Sequence, residues 1–189
     1  MNKKFNPNEI EVLLDIADKL EKIDIQYMLT GSLAMNYYAE PRMTRDIDII
    51  VEVGTLQKKV FFETFLLEYY ITDTAYDEAI RYNSMFNIIH RDTVTKADLI
   101  IKKRDEHSIQ AFERKQLKKI NDHSINVISK EDLIISKIRW AQDSKSALQK
   151  GDIINLLETD YDKEYMILWL KNCDLLDFAK DFIGERYFS

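Results

Sequence analysis

The sequence predicts an α+β fold, a mixed α/β part over residues 1–128 with an all-helical part over 129–189 packed on it. Three observations carry this. Up to about Ile128, apolar runs of strand length alternate with segments of helical period. From Ser129 onward almost every segment has helical period. Gly and Pro number only 4 and 2 in 189 residues. That scarcity argues against a many-turned β-sandwich and excludes a collagen-like or low-complexity chain. No internal repeat and no long linker divides the chain.

The elements follow in order. Asn6-Pro7-Asn8-Glu9 places a capping residue before a proline at the first helical position, with Glu at the third. Ile10, Leu13, Leu14, Ala17, Leu20 and Ile23 then keep helical spacing. Ile25 to Leu29 is a short apolar run ending in Thr30-Gly31-Ser32, a strand followed by a turn. Leu33 to Ala39 forms a short helix that Glu40-Pro41 stops. Asp46 to Val53 alternates acids with β-branched residues and reads as a strand closed by Gly54. Lys58 to Tyr70 reads as one amphipathic helix. Met85 to Ile89 and Ala97 to Ile101 read as strands around the polar turn Arg91 to Thr95, Asp105 to Gln116 as a helix, and Ser124 to Ile128 as a further strand. Ser129 caps a helix whose first turn holds Glu131 and Asp132. Helices over 148–157, 163–172 and 175–183 complete the chain.

Composition narrows the function classes. Hydrophobic residues are 46% and charged residues 32%, a globular mix. The 27 basic and 33 acidic residues leave a net charge of −6, which gives no global attraction to nucleic acid or anionic membrane. The single cysteine, Cys173, cannot form an internal disulfide and suits a reducing cytosol. The first residues lack the apolar run of a signal peptide, and no stretch reaches the ~18 apolar residues of a membrane span. The expectation is a cytoplasmic protein that does not enter a membrane.

One constellation carries chemistry. Asp46 and Asp48 lie two apart on an expected strand and so share a face. Such a pair repels itself unless a cation neutralises it, and Mg²⁺ or Mn²⁺ prefers these oxygen ligands. A solvated strand face is the plainer alternative. Upstream, Gly31-Ser32 ends one strand and opens a short helix, the place for backbone N–H groups and a hydroxyl to cradle phosphate. Asp98 lies on another expected strand. If that strand neighbours the Asp46 strand, three carboxylates converge, able to hold metal ions about 3.5–4 Å apart that activate a hydroxyl and stabilise a leaving oxygen.

Gly31-Ser32, Arg42-x-Thr44-x-Asp46-Ile47-Asp48-Ile49 and the later Asp98 resemble the polymerase-β-type nucleotidyltransferase superfamily. The Arg-x-Thr-x-Asp form is similar to minimal nucleotidyltransferases of the AbiEii toxin type and their bacterial relatives. Ser129-Lys130-Glu131-Asp132-Leu133-Ile134-Ile135-Ser136-Lys137 and Ser146-x-x-Gln149-x-x-Asp152-Ile153 resemble two further segments of that family. The resemblance implies a mixed sheet flanked by helices, with a C-terminal helical subdomain. It implies that Gly31 and Ser32 hold a triphosphate and that Asp46, Asp48 and Asp98 are catalytic metal ligands. Lys137 would meet nucleotide phosphate, Asp152 would partner it, and Arg42 and Thr44 would shape the loop before the metal site, with Arg42 in reach of phosphate.

The implied reaction moves an NMP from an NTP to an acceptor hydroxyl and releases pyrophosphate. The acceptor is an RNA end such as tRNA, a protein or a small molecule. Competing readings are a catalytically idle binding module, a D-x-D glycosyltransferase, and a toxin or its antitoxin partner. Residues 102–119 hold seven basic and three acidic side chains, either a contact for RNA or triphosphate or a solvated face. Phe61, Phe62, Phe65, Tyr69 and Tyr70 read as core, Tyr37 or Tyr38 as a surface for a base, and Cys173 as a small buried hydrophobe. His90, His107 and His123 lack zinc spacing.

Overall fold

The computed structural model describes residues 7–188. Its helices are α1 (Pro7–Lys22), α2 (Gly31–Met35), α3 (Lys58–Phe65), α4 (Asp73–Tyr82), α5 (Glu106–Glu113), α6 (Lys130–Ser144), α7 (Ala147–Leu157), α8 (Lys163–Asn172) and α9 (Leu176–Ile183). Its strands are β1 (Tyr27–Thr30), β2 (Ile47–Val51), β3 (Tyr69–Tyr70), β4 (Met85–His90), β5 (Lys96–Ile101), β6 (Gln116–Ile120) and β7 (His123–Val127). The strands form one mixed seven-stranded sheet in the order β3-β4-β5-β2-β1-β7-β6. β1 runs antiparallel to β2 and parallel to β7, and β2 runs parallel to β5.

The central strands are apolar because helices cover the sheet. All four residues of β1 are buried, as are Ile47, Ile49 and Val51 of β2. α1 begins at Pro7 as expected, and Leu13, Ile16, Ala17 and Leu20 bury its stripe; the expected cap, Asn6, lies outside the described residues. An aromatic cluster forms the core under the β3–β4 edge. Phe61 stacks on Phe65 at 4.4 Å between centroids, and Tyr76 and Phe86 close around Phe61 at 5.6 Å each.

The sheet corrects several sequence expectations. The helix expected over 58–70 ends at Phe65, and Tyr69–Tyr70 turns back as β3, pairing with His90 and Ile89. Aromatic side chains at near-helical spacing concealed that break, and Tyr70 is exposed rather than core. The helix expected over 105–116 ends at Glu113, and Gln116–Ile120 forms the edge strand β6. The basic stretch 102–119 is therefore no single helix face. α4 escaped notice because its polar sequence, DTAYDEAIRY, buries only Tyr76 and Ala79; Thr72 caps it. The helix after Gly31 stops at Met35.

After β7 the described chain is helical. Ser129 caps α6, its Oγ accepting from the Asp132 amide at 3.3 Å. α6 packs on α2, α7 and α8. Among the described residues no helix is long and apolar enough to cross a membrane.

Candidate active site

The register of three strands places the acids. β1 ends where β2 begins, so Thr30 lies opposite Asp48. β5 runs parallel to β2, and Asp98 lies beside Asp48. One end of the three central strands thus carries, from β1 across to β5, the Gly31-Ser32 turn, Asp48 and Asp98. Gly31 has φ +66, and a Cβ there would stand 2.0 Å from Asp48 Oδ2. Backbone conformation and space both demand glycine, because the carboxylate lies on the turn itself.

Asp46 departs from the expected shared strand face. It precedes β2, is exposed, and receives no ladder position; its amide donates to Thr44 Oγ1 at 3.3 Å. Asp98 is buried and already held. Asn87 Nδ2, directly across the β4–β5 pair, donates to its Oδ1, and Lys96 Nζ lies 3.0 Å from the same carboxylate. Asn87 and Lys96 were not singled out from the sequence. Counting back from the Arg91–Thr95 turn pairs residue 87 with 98, and Lys96 shares a strand face with Asp98, so both signals were present.

The acids repel one another. Burial, then Asp98 and Asp46, push the Asp48 pKa up to about 6, with Lys137 and Lys96 opposing. Hard oxygen donors in this crowding fit a divalent cation. Yet among the described residues no three ligating side chains are gathered closely enough to hold one ion. Asp48 and Asp98 are the pair on adjoining strands; Asp46 precedes β2 on the loop.

Behind Ser32 lies a second network. Asp152 on α7 is buried and receives Arg42 Nε at 2.7 Å, Arg42 Nη2 at 2.9 Å and Lys137 Nζ at 2.8 Å. Arg42 Nη2 also donates to Ser32 Oγ at 2.6 Å. Burial pushes the Asp152 pKa up, but Arg42 and Lys137 outweigh it and hold it below the ordinary carboxylate value. Burial lowers the Lys137 pKa, against Asp152. The partnership of Lys137 and Asp152 is present, and the solvated alternative for Lys137 is not, since it is 5% exposed. Arg42 is committed to Ser32 and Asp152 in this state. Its loop is pinned twice. The Arg42 amide donates to Asn36 Oδ1 and the Arg42 carbonyl accepts from Asn36 Nδ2; Asn155 of α7 makes the same reciprocal pair with Glu40.

Other expectations resolve more simply. Tyr38 donates its hydroxyl to the Ile128 carbonyl at 2.7 Å and carries Lys118 Nζ over its ring, so it is a brace between α2 and the β6–β7 edge. Cys173 is half-buried beside Arg139 Nη2 at 3.1 Å, not fully buried.

No known family profile matches the chain, and no curated protein matches it. Solved structures do. An antigenic nucleotidyltransferase-like protein from Paracoccidioides brasiliensis is similar with TM-score 0.55 at 17% identity, over 94% of this chain and 91% of that one. The lincosamide antibiotic adenylyltransferase LnuA, solved with lincomycin, is similar with TM-score 0.52 at 17% identity, over 82% of this chain and 98% of that one. ANT(2'')-Ia, solved with adenylyl-2''-tobramycin, is similar with TM-score 0.50 at 11% identity, over 96% and 92%. The sheet and its flanking helices are thus those of the nucleotidyltransferase fold.

Proposed function

We propose that this protein is a nucleotidyltransferase that moves an NMP from an NTP to an acceptor hydroxyl and releases pyrophosphate. The observation that carries the proposal is the meeting of Gly31, Asp48 and Asp98 at one end of the central strands. Residues 1–128 are the transferase core in this reading, and 129–189 a helical subdomain that supplies Lys137 and Asp152.

Asp46, Asp48 and Asp98 would hold Mg²⁺ or Mn²⁺, which supplies a Lewis acid for the phosphoryl oxygens. Gly31 and Ser32 seat the triphosphate, with Arg42 and Lys137 the cations behind them. Asp152 keeps both cations in place. The acceptor oxygen forms its bond to the α-phosphorus while the bond to the bridging oxygen breaks, and pyrophosphate leaves with the electron pair. The hydroxyl proton passes to Asp98. Catalysis is positioning and charge stabilisation.

The test is incubation with each α-labelled NTP, Mg²⁺, total RNA and cell lysate. A labelled adduct appearing only with divalent cation is expected. No adduct with any nucleotide overturns the proposal and returns the chain to an idle binding module.

A further inference from the structure

Arg42 reaches Ser32 from a stretch, residues 40–46, that belongs to no helix or strand. Pro41 at its start has no N–H to give to a ladder. Side chains hold this backbone instead. Asn36 receives the Arg42 amide at 3.2 Å and donates to the Arg42 carbonyl at 3.3 Å. On the other side of Pro41, Asn155 receives the Glu40 amide at 3.2 Å and donates to the Glu40 carbonyl at 2.8 Å. Further back, Thr159 Oγ1 donates to the Tyr38 carbonyl at 2.9 Å and accepts from Lys130 Nζ at 2.5 Å.

Asn155 is the informative member. It stands three residues after Asp152 on α7, so the two share a helix face. One turn of α7 therefore grips the Arg42 region twice. Asp152 takes the guanidinium at 2.7 and 2.9 Å, and Asn155 takes the backbone two residues earlier. The two grips do different things. A carboxylate holds the fork of an arginine but leaves its long stem many rotamers. A side-chain amide that matches both the N–H and the C=O of one residue fixes where that stem begins. A guanidinium anchored at both ends needs less ordering when a phosphate arrives.

We propose that Asn155 is a positioning residue for nucleotide binding, setting Arg42 beside the Gly31-Ser32 turn through the backbone of Glu40. It does not touch the triphosphate and acts only through Arg42. The proposal rests on the nucleotidyl-transfer reading. The plainer role is a tie between α7 and the loop, which would matter to stability alone.

The test measures the Kd of the α,β-methylene analogues of ATP, GTP, CTP and UTP with Mg²⁺ by calorimetry, below the Tm of every variant. Wild type, Asn155→Ala, Arg42→Lys and the double variant are compared. Asn155 is half-buried, and alanine is the better helix former, so Asn155→Ala should fold. It should weaken the best-bound analogue about fivefold. Arg42→Lys keeps the charge and loses the fork; in that background Asn155→Ala should add less than about twofold. A wild-type Kd in Asn155→Ala overturns the proposal and leaves the plain tie. The full fivefold loss in the Arg42→Lys background overturns the route through Arg42. No binding of any analogue by wild type overturns the nucleotide reading itself, a result separate from the other two.

Discussion

Asp132 is fully buried and Asp48 half-buried, and their surroundings are opposite. Asp132 is fully buried at the start of α6 and is surrounded by donors. Ser129 Oγ lies at 2.6 Å, Tyr165 donates at 2.8 Å, and His107 Nε2 and Arg114 Nε lie at 3.3 Å. Burial raises its pKa, but His107, Ser129 and Tyr165 more than reverse this. Asp48 stands beside Asp98 and near Asp46, against the bare backbone of Gly31, and its pKa rises. The chain satisfies the carboxylate that ties α5, α6 and α8 together. It leaves unneutralised the one at the end of the central strands, and that unmet charge is what a substrate-bound cation would offset.

That contrast can be broken at several points. The largest effect belongs to Asp48. Asp48→Asn should lower transfer on the order of 10³-fold while raising Tm, because it removes a crowded charge without removing volume. A lower Tm would make Asp48 a structural carboxylate like Asp132. Asp132→Ala should cost about 3 kcal/mol in urea unfolding, since it strands Arg114 and Tyr165, and should leave NTP affinity unaltered. Loss of affinity at full stability would place the α6 network in the site. Gly31→Ala should cost about 2 kcal/mol and displace Asp48, read as lower Tm together with lost transfer. Lys137→Met should raise the KM for NTP about tenfold, because Asp152 keeps Arg42 while the phosphates lose a cation.

The smallest effect is in acid. Asp132 and Asp152 have folded pKa values below the ordinary 3.8, so their stabilisation is complete above that value and lost as pH falls through the folded ones. Asp48, raised to about 6, works the other way, so stability should rise as pH falls through about 6 and then fall in acid below 3.8 as Asp132 and Asp152 protonate, and Asp132→Asn should flatten that acid limb. An unaltered limb in urea unfolding at stepped pH would contradict the assignment.

The neighbouring positions of Asp48 and Asp98 were legible because they are local, whereas Asp46, expected on the same strand face, precedes β2 and is exposed. Asp46 and Asp48 stand two apart, Gly31 and Ser32 adjoin a strand end, and Asp98 needed only the pairing of two strands that β2 and β5 make. The hairpin register places Asn87 across from Asp98, but nothing in the local pattern singles it out. Contacts across the chain were less open. That Arg42 bridges Ser32 to Asp152 depends on α7 packing beside a loop 110 positions earlier, which periodicity does not encode. The β3 and β6 edge strands were hidden because tertiary pairing, not local pattern, decided Tyr69–Tyr70 and Gln116–Ile120.

The most direct measurement runs wild type, Asp48→Asn and Asp132→Asn side by side in the α-labelled NTP assay, below the Tm of all three. Wild type and Asp132→Asn should transfer label with Mg²⁺, and Asp48→Asn should not. Transfer by Asp48→Asn at the wild-type rate would contradict the assignment of this end of the central strands as the reaction centre.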